Sequence, residues 1–163
     1  ITDGNSCEVT EIVYINSPDS IDVTLTSLDL NCYGDLNGSI ESDINGGILP
    51  YSYLWSNGSE SPNINNLTSG QYSLLVTDST GCSVSESIFI SEPDSINIIF
   101  NISNEDCNPN NQSIETEIEG GTPPYDYMWN NNETSSNIYN LSSDYYVLTI
   151  TDFNNCISGA SNT

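Results

Sequence analysis

The chain has 163 residues, 23 of them Asp or Glu, and no Lys, Arg or His, for a net charge of −23 at pH 7. Average usage would supply roughly 20 basic residues in this length; with none, phosphate backbones and anionic lipid surfaces repel the chain, so neither nucleic acid nor membrane insertion is expected. Without those residues no Ser–His or Cys–His pair and no lysine isopeptide can be built, so an enzyme is not expected. Ten Tyr, three Phe and two Trp, with many Val, Ile and Leu, supply a core and set the chain apart from a disordered acidic tail.

In chain order, Ile21, Val23 and Leu25 alternate with polar residues and predict a first strand. Ile40 and Ile44 mark a second. Tyr51, Tyr53 and Trp55 share one face of a third. Tyr72 to Thr77 is strongly apolar, and Ser83 to Ile90 alternates again. The series then restarts with Ile96, Ile98, Phe100 and Ile102, with Ile114 and Ile118, with Tyr125, Tyr127 and Trp129, and with Tyr145 to Thr151. Turn signals separate these runs: Asn37-Gly38, Gly46-Gly47, Asn57-Gly58, Ser69-Gly70 and Thr80-Gly81. No helical stripe of useful length appears. Six or seven short strands in about 75 residues predict an all-β fold, tandem immunoglobulin-like β-sandwiches, with the Trp strand crossing each core.

The restart is a repeat with a period of 74 to 75 residues. Cys7 recurs as Cys82 and Cys156, and Cys32 as Cys107. Gly46-Gly47 recurs as Gly120-Gly121, Pro50-Tyr51 as Pro124-Tyr125, Trp55 as Trp129, and Thr77-Asp78 as Thr151-Asp152. Residues 1–18 then match the last strands of a preceding repeat, 19–93 one complete repeat, and 94–163 a second, truncated at its C-terminal end. The array is expected to continue in both directions. Five cysteines are an odd number, which the repeat accounts for. Pairing within each repeat would join Cys32 to Cys82 and Cys107 to Cys156, leaving Cys7 for a partner upstream. Each such bridge closes a loop of about 50 residues, worth roughly 4 kcal/mol in the chain-entropy model. The alternative is that the cysteines of each repeat stay reduced and buried.

The landmarks run Cys, Asn-Gly-Ser-Ile, Gly-Gly-x-x-Pro-Tyr-x-Tyr-x-Trp, Leu-x-x-Gly-x-Tyr, Val-Thr-Asp-x-x-Gly-Cys and Glu-Pro. Cys32, Asn37 to Ile40, Gly46, Gly47, Pro50, Tyr51, Tyr53, Trp55, Leu67, Gly70, Tyr72, Val76 to Asp78, Gly81, Cys82, Glu92 and Pro93 carry them. This pattern resembles the SprB-type repeat of giant surface adhesins in gliding Bacteroidota. The second copy departs from it at Gln112, at Ser143-Asp144 and at Asn154-Asn155, where Asn can keep a positive-φ turn. The resemblance implies an extracellular stalk attached to the outer membrane, exported by type IX secretion. It also implies adhesion to surfaces or polysaccharide and coupling to the gliding machinery through other parts of the protein.

Three kinds of site are compatible with the residues. Asp19, Asp22, Glu92 and Asp94 lie near repeat junctions and could gather calcium, although no EF-hand spacing exists; the bland reading is a solvated acidic surface, with no cofactor. Ser20, Ser79 and Ser95 follow Asp, resembling the O-glycosylation acceptor of Bacteroidota; Asp-Ser is also common in turns. Tyr51 and Tyr125 are the aromatic pair at matched positions that could stack on sugar, against the simpler reading of core packing. The runners-up to a stalk are a carbohydrate- or calcium-binding module and an extracellular filament subunit.

Overall fold

The computed structural model describes residues 4–5, 8, 10–13, 19–104 and 112–162. Among these, the elements are strands, with no helix. The first repeat contains β1 (Asp22–Leu28), β2 (Gly38–Asn45), β3 (Ser52–Trp55), β4 (Ile64–Leu67), β5 (Gly70–Thr77) and β6 (Ser83–Ile90). The second contains β7 (Asn97–Asn104), β8 (Gln112–Glu119), β9 (Asp126–Trp129), β10 (Ile138–Leu141), β11 (Val147–Thr151) and β12 (Ile157–Ser161).

Each repeat is a sandwich of two three-stranded antiparallel sheets. The order is β1-β2-β4 against β3-β5-β6, and β10-β8-β7 against β12-β11-β9. Immunoglobulin sandwiches place strands A, B and E in one sheet and C, F and G in the other. The six strands take those places in sequence, with one strand of the D–E pair missing. The immunoglobulin-like architecture expected from the alternation is therefore the observed one.

Period-2 burial produces it. Val23 on β1, Ile40 on β2, Leu74 and Val76 on β5 and Ile90 on β6 turn inward around Trp55, whose ring is 2% exposed. Burying each aliphatic side chain contributes about 1.5–3 kcal/mol. Ile114, Trp129, Ile138, Leu148 and Ile150 do the same in the second repeat. The indole N–H of Trp55 donates to the Ser61 carbonyl at 2.8 Å, and that of Trp129 to Ser135 at 2.9 Å, so neither ring leaves a buried donor unpaired.

β4 and β10 are strands that alternation does not announce. Ile64 and Leu67 are both buried although three residues apart, as are Ile138 and Leu141. Asn66 and Asn140 between them sit at φ 55°, and the pairing with β2 and β8 shifts register there. An irregularity of this kind lets an odd spacing face one side.

The strand directions give each sandwich two ends. The base carries Asp19, the Gly46-Gly47 turn and the β5–β6 turn. The crown carries the β1–β2 loop and the end of β6. From the crown of the first repeat, residues 91–96 lead to the base of the second, so the repeats follow head to tail.

Candidate functional site at the repeat junction

The base is built by the motif residues themselves. Gly46 has φ 76°, and a Cβ there would lie 2.1 Å from the Ser20 carbonyl oxygen; Gly120 repeats this against Ser95 at 2.2 Å. Only glycine permits both the left-handed backbone and the approach. The next amides, of Gly47 and Gly121, donate to the carbonyls of Asp19 and Asp94 at 2.9 and 2.8 Å. The Tyr51 hydroxyl donates to the Gly46 carbonyl, and Tyr125 donates to Gly120 at 2.6 Å. Both tyrosines are half-buried against their cores. They clamp the double-glycine turn, and Tyr51 also lines a surface cleft with Tyr53, Leu54 and Leu75.

Behind that turn lies a buried carboxylate in a chain with no cation. Asp78 is 6% exposed and Asp152 4%. Asp78 accepts from the amides of Ile48, Thr80 and Cys82 at 3.1, 2.8 and 3.0 Å and from the Thr80 hydroxyl at 2.7 Å. The Thr80 hydroxyl, helped by those amides, holds its carboxyl below the usual range. Asp152 accepts from the amides of Thr122, Asn154 and Cys156 at 2.8, 2.9 and 2.9 Å. Each aspartate thus fixes the turn that ends at the second cysteine of its repeat. Gly81 and Asn155 hold the left-handed step in these turns at φ 89° and 66°, so asparagine does replace glycine there.

The crown of the first repeat is also held by acids. Asp29 accepts from the Ser91 amide at 2.9 Å, and Ser91 returns its carbonyl to the Leu30 amide at 3.0 Å. Glu92 accepts from the Gly34 amide at 2.8 Å and the Ser69 hydroxyl at 2.6 Å, which together lower its pKa, the hydroxyl most. The Glu of the Glu-Pro motif therefore positions the loop that carries Cys32.

Crown and base meet in a covalent joint. Cys32 is bonded to Cys156, with Cα atoms 5.6 Å apart. Beside it the Asn154 side-chain amide donates to the Asn31 carbonyl at 3.1 Å and to the Thr122 hydroxyl at 3.1 Å. A cleft of about 460 Å³ runs along the joint between Tyr33 and Asp35 on one side and Ile96, Ile157 and Ser158 on the other.

This pairing corrects the expected Cys32–Cys82 and Cys107–Cys156 bridges. Leu30 is tied to Ser91, just past the end of β6, whereas Cys82 precedes the first residue of β6. Eight strand residues separate the ends by about 26 Å, while a disulfide needs Cα atoms within about 7 Å. Cys82 is exposed and free. Cys156 is taken by Cys32, which excludes the Cys107–Cys156 bridge. Cys7 and Cys107 themselves lie outside the described residues.

The other sequence candidates do not converge. Asp19 and Asp22 lie at the base of the first repeat, and Glu92 and Asp94 on the connection between the repeats. Among the described residues no three His, Cys, Asp or Glu side chains come together as a metal site. Ser20, Ser79 and Ser95 are all exposed; the Ser79 hydroxyl donates to the Ile48 carbonyl at 3.0 Å. Sequence reasoning missed Asn31 and Asn154. Asn154 read as a departure from the motif, and nothing local signals that its amide crosses to another repeat.

Residues 24–60 and 99–134 match the SprB repeat family. The chain carries SprB-type repeats. Each matched segment runs from the first strand through the Trp strand. The SprB repeat points to the repeat region of a cell-surface adhesin. No curated protein matches the chain. Among solved structures, an amphioxus IgVJ-C2 molecule aligns over 90% of this chain and 97% of its own, at 12% identity and TM-score 0.34. A complex of Dpr2 Ig1-Ig2 with DIP-Theta Ig1-Ig3 aligns over 88% of this chain and 65% of the matched chain, at 9% identity and TM-score 0.35.

Proposed function

We propose that these SprB-type repeats are the stalk of an extracellular adhesin, serving surface attachment and gliding by carrying a contact region away from the outer membrane. The supporting observation is the bond between Cys32 and Cys156, which closes the joint between two successive sandwiches. A module that only needed to bind a ligand would have no use for a covalent lock between neighbours. The charge supports the same reading, because an array with only negative side chains repels itself and neighbouring arrays, which favours extension. Export by type IX secretion and coupling to the gliding machinery are part of this proposal, through regions of the protein outside this sequence.

Paired spin labels on β3 and β9 test it. A single narrow inter-repeat distance is expected in the oxidised protein, with a broader distribution after reduction. Equal, broad distributions in both states would sink the rigid-stalk reading. The same fragment should stay unbound on polysaccharide, glass and plastic, with or without calcium. Retention on any of these would move adhesion into the repeats.

A further inference from the structure

The base of the first repeat is built like the base that receives Cys32, yet no described residue forms a disulfide with it. Asp78 organises the amides of Ile48, Thr80 and Cys82 as Asp152 organises those of Thr122, Asn154 and Cys156. Gly46 and Gly120, Tyr51 and Tyr125, and the left-handed residues Gly81 and Asn155 correspond one to one. In the second repeat the turn ends at a cysteine bonded to the crown of the repeat before it. In the first repeat the equivalent cysteine, Cys82, is an exposed thiol. Residues 1–18 carry the sequence of a repeat's last strands, with Cys7 at the place of Cys82 and Pro18-Asp19-Ser20-Ile21 at the place of Pro93-Asp94-Ser95-Ile96.

We propose that Cys82 is the receiving end of a second inter-repeat disulfide, bonded to the first cysteine of the repeat that precedes it in the same polypeptide. The rule read from Cys32 and Cys156 is that the first cysteine of each repeat pairs with the second cysteine of the next. Applied along an array, it locks every sandwich to both neighbours and leaves no cysteine unpaired except at the two ends. The inference rests on the stalk reading. The oxidant is a disulfide donor, protein or small molecule. One cysteine thiolate attacks the donor S–S bond and expels a donor thiolate, giving a mixed disulfide. The other cysteine thiolate attacks the protein sulfur of that mixed disulfide, closes the bridge and expels the second donor thiolate. Two electrons pass to the donor, which leaves as dithiol, with the protons lost from the two cysteines.

Non-reducing peptide mapping of the exported full-length protein tests this. Free thiols are alkylated first, and digestion uses a glutamyl endopeptidase with chymotrypsin, since trypsin has no site in these residues. The expected result is a Cys82 peptide linked to the first-cysteine peptide of the preceding repeat, beside the Cys32–Cys156 pair, in protein that migrates as a monomer without reductant. Cys82→Ser should release one new alkylatable thiol, on that preceding repeat, and leave Cys32–Cys156 intact. An alkylated Cys82 in unreduced protein, a Cys82 linked to Cys7, Cys32 or Cys107, or a link between two chains would each overturn the proposal. An alkylated Cys82 beside an intact Cys32–Cys156 bond and a narrow inter-repeat distance would leave the stalk reading standing.

Discussion

In the first repeat, Leu30 and Ile90 close the crown over Gly38, where an added Cβ would meet the Leu67 carbonyl at 2.9 Å and the two side chains at 3.0 and 3.2 Å. In the second repeat Gln112 stands at the place of Gly38, and Glu105 in sequence at the place of Leu30. Bulk has moved to the sheet faces instead. Phe100 replaces Leu25 and stacks on Trp129 with ring centroids 5.5 Å apart, and Ile150 replaces Val76. The bases, by contrast, keep Gly46 and Gly120, Tyr51 and Tyr125, and Asp78 and Asp152, while Ile48, Ser79, Thr80 and Gly81 give way to Thr122, Phe153, Asn154 and Asn155. Core volume can be redistributed along a sandwich, whereas the residues that set the backbone of the end that receives a neighbour are kept.

The largest effect that tests this contrast comes from the joint. Cys32 and Cys156 are 124 residues apart in sequence, so removing their bond should cost about 5 kcal/mol in the chain-entropy model. The loop includes strands of both repeats, and both should lose stability in denaturant titrations of Cys32→Ser. A loss confined to one repeat would show that the bond staples rather than couples. Next are the tryptophans. Trp55→Ala and Trp129→Ala should each cost about 3–5 kcal/mol, and Trp129→Ala about 1 kcal/mol more because it also loses the Phe100 stack. Phe100→Leu should erase that difference; if it persists, the stack is not its source.

Smaller and equal effects are expected at the bases. Gly46→Ala and Gly120→Ala combine positive φ with a backbone clash and should each cost more than about 1 kcal/mol. Unequal costs would break the equivalence of the two bases. The smallest effect is that of pH on Asp78→Asn. The folded pKa of Asp78 lies below its ordinary 3.8, so its stabilisation is complete above that value and fades as pH falls through the lowered folded one. The gap in melting temperature between the parent protein and the variant should therefore be constant near neutrality and close in acid. A gap that widens in acid would reverse the sign of the linkage.

Much of the fold was legible because burial alternates with a clear period in β1, β5 and β6, and because the two copies phase one another. β4 and β10 were not, since a positive-φ asparagine inside a four-residue strand disguises the period. The motif glycines and tyrosines were legible as landmarks, but their reason, a turn clamped against the Asp19-Ser20 backbone, is tertiary. The disulfides misled for a related cause. Spacing shows which cysteines share a repeat, but not that the two occupy opposite ends of it.

The Cys32–Cys156 bond also decides how the chain carries tension. Pulled from its two ends, the polypeptide transmits load from residue 32 directly to residue 156, and the strands β2 to β11 lie off that path. Of the described strands, only β1 and β12 are left to be peeled. Roughly 400 Å of contour, at about 3.3–3.6 Å per extended residue, stays in reserve until a reductant cuts the shunt. In a single-molecule pull that length should be missing from the oxidised protein and appear in the reduced one. A chain loaded in this way would then yield by short steps rather than by unravelling whole sandwiches.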